Sequence, residues 1–325
     1  MTTVAIVSAG FMGSGLGTAL LGGGARVVTT LEGRSARSRR LAEAAGLEVL
    51  PTLADAVAVA DVVLSVTPPG AAVDAARAIA AAGRAAGVAG RAAGVAGRAA
   101  GVTGRAAGVT GRAAGVAGRA AGVAGRGEGP VVADLNAVSP ETMARVAREL
   151  DGLRVVDGSI SGPPPSVRPG ARVYLAGAGA EVVAGLPWAG MIEPVVLGDR
   201  VGAASALKMC TGSVYKGMVA LITQAMRTAG AHGVLDPVLA DLERNGLADT
   251  AGVAQAATKA HRYVGEMREV SATQAGAGLT PDLFAAMAAV YADIAATRLA
   301  DGDPETARDL TATEIVARLA EHRTG

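Results

Sequence analysis

The chain is poor in the residues that most often announce a function. A single cysteine, Cys210, stands among 325 residues, so no disulfide can close within one chain and no cysteine-based zinc site can form. A reducing, cytoplasmic setting is the expectation. His232, His261 and His322 are the only histidines; their scatter gives no metal-ligand spacing, so no metal is expected. Aromatic side chains make up 2% of the chain, too few for a base-stacking surface. The formal net charge is only +1, which argues against a nucleic-acid binder working through a basic field. Val4 to Ala25 carries no charge, yet no basic stretch precedes it and its glycines break the apolar run. Neither a signal segment nor a membrane span is expected there, and no membrane partner.

That same stretch is the most informative part of what is present. VAIVSAGFMG reads as a buried strand running into a turn, GSGLGTALLGGG as a helix, and ARVVTT as a second strand. This is the first βαβ unit of a dinucleotide-binding sheet. Gly10 lets the backbone approach a pyrophosphate, and Gly13 lets the helix pack close to the strand. Phe11 and Met12 complete the turn at the helix N-terminus, whose free N–H groups attract phosphate. The fingerprint's first glycine is Ser8 here, so the turn must form without glycine's freedom.

The residues after the second strand bear on the choice of coenzyme. Glu32 stands where an acid would hold the ribose 2′-hydroxyl of NAD. Arg34, Ser35 and Arg37 follow directly, and Arg39 and Arg40 come next. A planar guanidinium fork matches phosphate oxygens, so this set favours the 2′-phosphate of NADP, with NAD as the alternative.

Strands and helices alternate up to about residue 200, and DVVLSVTPP, GPVVADLNAVSP and LRVVDGSISGPPP supply further strands. The expected fold class is α/β: a doubly wound parallel-sheet (Rossmann) N-terminal domain followed by an all-α C-terminal domain. The boundaries are 1–200 for the dinucleotide-binding domain and 201–325 for a helical second domain. Gly202 to Ala231 reads as one helix. Asp236-Pro237, Thr280-Pro281 and Asp303-Pro304 each read as a cap followed by a first-turn proline. Residues 83–126 interrupt the sheet domain with six GRAAGVA or GRAAGVT heptads and a closing Gly-Arg. With two glycines per heptad and one sizeable apolar side chain, the tract is expected to be an exposed, mobile insertion.

Four segments, SAGFMG, DVVLSVTPPG, DLNAVSPET and DGSISGPPP, come in order and are followed by LKMCTGSVYKG. This order resembles the β-hydroxyacid dehydrogenase and 6-phosphogluconate dehydrogenase superfamily, over essentially the whole chain outside the heptads. YKGMVALITQAM and YVGEMREVSAT look like a poorly characterised branch of it. The resemblance implies an NAD(P)-dependent oxidoreductase acting on a small molecule, and a homodimer. It implies that Gly10 and Gly13 hold the pyrophosphate, that Thr67 and Pro68 border the ribose, and that Asn136, where the family has serine, lies near the nicotinamide. Ser161 and Gly162 match the loop that binds a substrate carboxylate. Lys208 matches the general acid/base.

Lys208 also stands out by itself, as an isolated charge in the apolar helix VGAASALKMCTG. Partial burial disfavours an ammonium and makes it a usable proton donor near neutral pH. The chain departs from the family twice. Gly212 replaces an asparagine one turn beyond the lysine, leaving Thr211 and Tyr215 near its face of the helix, with Tyr215 as a replacement hydroxyl donor. Lys216 lies two turns on and rotated away. In the substrate loop, Pro163-Pro164-Pro165 removes N–H donors from an anion nest. A bulkier carbonyl compound or an imine is therefore an alternative substrate, and a non-catalytic NADPH sensor is the alternative from another class.

Overall fold

The apolar strands between Thr3 and Ser161 line up as the parallel part of one eight-stranded sheet. The computed structural model describes residues 1–87, 129–304 and 306–323. Contacts divide the chain into two compact units. The first comprises Met1–Thr67, Ala71–Asn136 and Thr142–Ser205; the second comprises Pro68–Gly70, Ala137–Glu141 and Ala206–Gly325.

In the first unit β1 (Thr3–Val7), β2 (Arg26–Thr30), β3 (Glu48–Leu50), β4 (Val62–Ser65), β5 (Val131–Asp134) and β6 (Arg154–Ser161) run parallel. Then come β7 (Ala171–Ala176) and β8 (Ile192–Val196), giving the order β3-β2-β1-β4-β5-β6-β7-β8. Val4, Ile6, Leu64, Val131 and Val156 are all buried, as strands covered on both faces require. α1 (Phe11–Gly22), α2 (Ala36–Ala44), α3 (Leu53–Val59), α4 (Ala72–Ala85), α5 (Pro140–Glu149) and α6 (Ala180–Ala184) connect or follow the strands.

The expected parallel-sheet domain is there, and two further strands reverse direction at one edge. β7 pairs antiparallel with β6, and β8 pairs parallel with β7, so both run against the other six. Only residues 162–170 join β6 to β7. A connection that short makes an antiparallel return, because a parallel neighbour needs a crossover of a dozen or more residues. β8, at the sheet edge, went unrecognised in the sequence; Pro194 within it cannot donate to a ladder and is tolerated at an edge.

The second unit is helical: most of α7 (Ala203–Ala231), then α8 (Leu235–Arg244), α9 (Thr250–Ala257), α10 (Ala260–Gly276), α11 (Asp282–Ala296) and α12 (Ala312–Ala320). Its core gathers Met209, Met226, Met267, Tyr291, Leu299 and Ile315. Three expected helix starts shift. α8 begins at Leu235, so Asp236 lies in its first turn, and α11 is capped at Pro281 with Thr280 outside it. Asp303-Pro304 opens no helix; α12 starts at Ala312, where Thr311 and Glu314 form a capping box.

Of the heptad tract, Gly83 to Ala85 close α4 rather than begin an insertion. The expectation of a mobile tract otherwise falls on residues 88–126, outside the described ones. Among the described residues no helix is long and apolar enough to cross a membrane.

Candidate cofactor site and the lysine helix

The β1–α1 turn shows how the chain manages without the fingerprint's first glycine. Ser8 itself takes the left-handed conformation, with φ 74°, and its carbonyl accepts the Gly10 N–H at 2.8 Å. A Cβ on Gly13 would lie 2.5 Å from that same carbonyl oxygen, so only glycine lets α1 start this close to the strand. A Cβ on Gly10 would meet nothing within 4 Å, leaving open space beside the turn. Gly10 is the N-cap and offers no side-chain bond, and no acid sits in the first turn. The N–H groups at Phe11, Met12 and Gly13 are those a helix leaves unpaired, and the positive end of the helix is uncompensated. Both features suit a pyrophosphate.

Left-handed backbone costs a residue other than glycine ~1–2 kcal/mol, of which glycine's extra freedom in the unfolded chain cancels part. Ser8→Gly is therefore expected to stabilise the protein by about 0.5–1 kcal/mol. The readout is the urea midpoint. An unchanged or lower midpoint would show that Ser8 is not strained.

At the carboxyl ends of β2 and β3 lies a groove of about 360 Å³ lined by Leu31, Glu32, Arg39, Val49, Leu50 and Pro51. The Arg34 N–H donates to the Leu31 carbonyl at 3.1 Å and turns the chain there. Ser35 caps α2, its hydroxyl accepting the Ser38 N–H at 3.2 Å. Arg34 is half-buried and Arg37 exposed. Arg39 is the arginine that lines the groove, its guanidinium donating to the Leu31 carbonyl at 3.2 Å. In the sequence Arg39 is one more arginine of the basic run, with nothing local to mark it as a groove residue.

Thr67 and Asn136 come together at the ends of β4 and β5. The Asn136 carboxamide oxygen accepts the Thr67 N–H at 2.5 Å. Its amide donates to Ser65 at 3.2 Å and to Asp134 at 2.7 Å. With both amide hydrogens spent inside the protein, Asn136 clamps the two loops and is poorly placed to donate to a nicotinamide directly. Asp134 is buried, and burial pushes its carboxyl up to about 7 against the pull of the Asn136 and Ser65 donors. The Thr67 hydroxyl is buried with no hydrogen-bond partner among the described residues. Pro68 is exposed and belongs to the second unit.

At the end of β6, Ser161 is half-buried and Gly162 takes φ 129°, where a Cβ would press on Ala171 at 3.1 Å. Pro164 and Pro165 are buried, and Pro164 packs so closely on α1 that a Cβ on Gly15 would come within 3.0 Å of it. Beyond the prolines, the N–H groups of Val167 and Arg168 both donate to the Pro164 carbonyl, at 2.9 and 3.2 Å. At the loop's end the Gly170 N–H donates to the Met191 carbonyl at 3.0 Å. Asp157, on the same strand, was missed in the sequence. Its carboxylate accepts the N–H groups of Gly202, Ala204 and Ser205 at 2.9, 2.8 and 3.1 Å and the Ser205 hydroxyl at 2.6 Å.

In the second unit, Lys208 is half-buried on α7, and its amine falls to about 8. Burial is the main cause; the Lys216 charge lowers it further and Glu266 opposes. The Thr211 hydroxyl donates back to the helix, to the carbonyls of Leu207 at 3.1 Å and Lys208 at 3.2 Å, so it is not offered as a donor. Gly212 is buried, with room for a Cβ. Tyr215 is 71% exposed. Among the described residues no group of three or more His, Cys, Asp or Glu side chains could hold a metal.

A parallel sheet with a bare α1 N-terminus beside Gly10, joined to a helical region, defines an NAD(P)-binding oxidoreductase fold. Residues 3–88 match the family described as NADP oxidoreductase, coenzyme F420-dependent, and residues 229–294 match a domain of unknown function, DUF1932. The fold is that of the 3-hydroxyacid dehydrogenases. One similar structure is a conserved protein of unknown function described as resembling those enzymes, at 24% identity and TM-score 0.60, over 90% of this chain and 96% of that one. Another is Mycobacterium tuberculosis 3-hydroxyisobutyrate dehydrogenase with L-serine, at 20% identity and TM-score 0.61, over 98% and 99% of the chains. Streptomyces aurantiacus imine reductase is similar at 19% identity and TM-score 0.50, over 90% and 93%. No curated protein matches the sequence.

Proposed function

We propose that the protein is an NADP-dependent oxidoreductase that moves hydride between the nicotinamide and a small carbonyl or hydroxy compound, with Lys208 as general acid/base. The observation that carries this reading is the half-buried Lys208, an amine lowered to about 8 in a chain whose first unit has a dinucleotide turn. A bound nicotinamide supplies the hydride. Gly10, Phe11, Met12 and Gly13 hold the pyrophosphate, and the partnerless Thr67 hydroxyl borders the ribose. Arg34, Ser35 and Arg37 face the 2′-phosphate, while Arg39 and Glu32 line the groove beside it. Lys208 gives a proton to the substrate oxygen on reduction and takes one on oxidation.

A second reading, reduction of an imine, is favoured by two observations. No side chain at Gly212 orients a hydroxy acid, and in the loop after Gly162 three prolines lack an N–H while the Val167 and Arg168 N–H groups go to the Pro164 carbonyl. Turnover of a cyclic imine, with none of any hydroxy acid, would decide for it. The matched family description names coenzyme F420 beside NADP, so the deazaflavin belongs in the same panel.

The coenzyme assignment rests on the arginines. Replacing Arg34 and Arg37 together by alanine is expected to weaken NADPH binding roughly 10- to 100-fold, because charge-assisted bonds to phosphate are lost. NADH, which lacks the 2′-phosphate, should change far less. Fluorescence titration of both coenzymes checks this, and equal weakening of the two would refute the preference for NADP.

A further inference from the structure

Of the 30 basic side chains in the sequence only three are lysines, Lys208, Lys216 and Lys259. Two of them lie eight residues apart on α7. That spacing is ~12 Å along the axis and roughly 80° around it, and the Lys216 charge is felt at the Lys208 amine. Lys216 does not reach out to water. Its ammonium donates to the Glu266 carboxylate on α10, and the two side chains are only 18% and 10% exposed. The ammonium stands 5.0 Å from the centre of the Tyr263 ring, and the Tyr291 hydroxyl donates to the Lys216 carbonyl at 2.7 Å. The cluster draws on α7, α10 and α11 within the second unit.

A buried ion pair is a poor way to gain stability, since apolar side chains of like volume do as well or better. Its presence beside a core built mostly from methionine, alanine and branched aliphatic side chains calls for another reason. We propose that Lys216 and Glu266 are positioning residues for Lys208, and that their paired charges set the electrostatic environment of its amine. The proposal rests on the reading of Lys208 as the proton-transferring group. Lys216 repels the charged form of Lys208 and Glu266 attracts it, so the two oppose each other. Tyr263 and Tyr291 are the other titratable groups in the cluster. Burial raises both, Tyr263 to about 12, so they stay neutral across the working range.

The test measures the Lys208 amine directly. The protein is labelled with acetic anhydride across pH 6–11 (about the span of a lysine titration), and modification of each lysine peptide is read by mass spectrometry. Turnover is measured over the same pH values. Lys216→Met should move the Lys208 midpoint up and Glu266→Gln should move it down, each by on the order of half a unit to one unit. Lys216→Arg, which keeps the charge, should restore it. If Lys216→Met does not fold, Lys216→Met/Glu266→Gln, which leaves no unpaired charge, takes its place. Its midpoint should then lie above that of Glu266→Gln. Midpoints that stay put, or move the same way in Lys216→Met and Glu266→Gln, overturn the proposal. Midpoints that move as expected while the pH profile of turnover stays still support the proposal and remove Lys208 from catalysis instead.

Discussion

Turnover in the Lys208→Ala variant is expected to fall by ~10²–10⁴-fold, the usual worth of a positioned general acid or base. NADPH affinity should be unchanged, because the turn and the arginines proposed to hold its phosphates lie in the first unit. The pH dependence carries the sign of the mechanism. With the amine lowered to about 8, reduction needs its protonated form, so kcat/KM for a carbonyl substrate should decline as pH rises through about 8. Oxidation of the alcohol needs the neutral amine and should rise over the same interval. Lys208→Ala should lose both limbs. Wild-type protein that binds NADPH but turns over nothing in a panel of aldehydes, hydroxy acids and cyclic imines would favour a sensor over an enzyme. A Lys208→Ala variant with full activity would end the catalytic assignment outright.

Asp157→Ala is expected to cause the largest loss of stability. The carboxylate is fully buried and accepts three N–H groups and one hydroxyl where α7 begins. Alanine would leave those donors facing an apolar gap, and each unsatisfied buried polar group costs ~1–3 kcal/mol. The costs do not add fully, so a total of about 3–5 kcal/mol is reasonable. That corresponds to a drop in Tm of roughly 10 °C for a protein of this size. Asp157→Asn keeps one acceptor oxygen and should fall between the two. Thermal unfolding followed by circular dichroism measures it. A Tm within about 2 °C of wild type would mean that water or backbone movement satisfies the freed donors.

The same residue shows where sequence reading runs out. Asp157 lies in DGSISG, a segment that draws attention to Ser161 and Gly162, and its partners lie 45 to 48 residues further on. No local pattern reports such a bond. Asn136 is similar: it reads as a cofactor contact, yet its carboxamide joins Thr67, 69 residues earlier, to Asp134. Glu266 gives no hint in YVGEMREV that it pairs with Lys216, 50 residues before it. The shifted starts of α8 and α11 have a more local cause, because several residues near a proline can each serve as the cap.

What was legible depended on short-range chemistry. The β1–α1–β2 unit, the long α7 and the change from mixed to helical architecture follow from apolar periodicity, glycine placement and chain-local capping. Arg34, Ser35, Arg37 and Lys208 stood out as charges or hydroxyls set against that pattern. The three-dimensional packing decided the rest: the reversal of β7 and β8, the left-handed Ser8, the Asn136 clamp, and the Lys216–Glu266 ion pair. Periodicity tells which face of an element is buried, but not against what. Hydrogen bonds and ion pairs act over a few ångströms between residues far apart in the chain, so they are defined only once folding has brought their elements together.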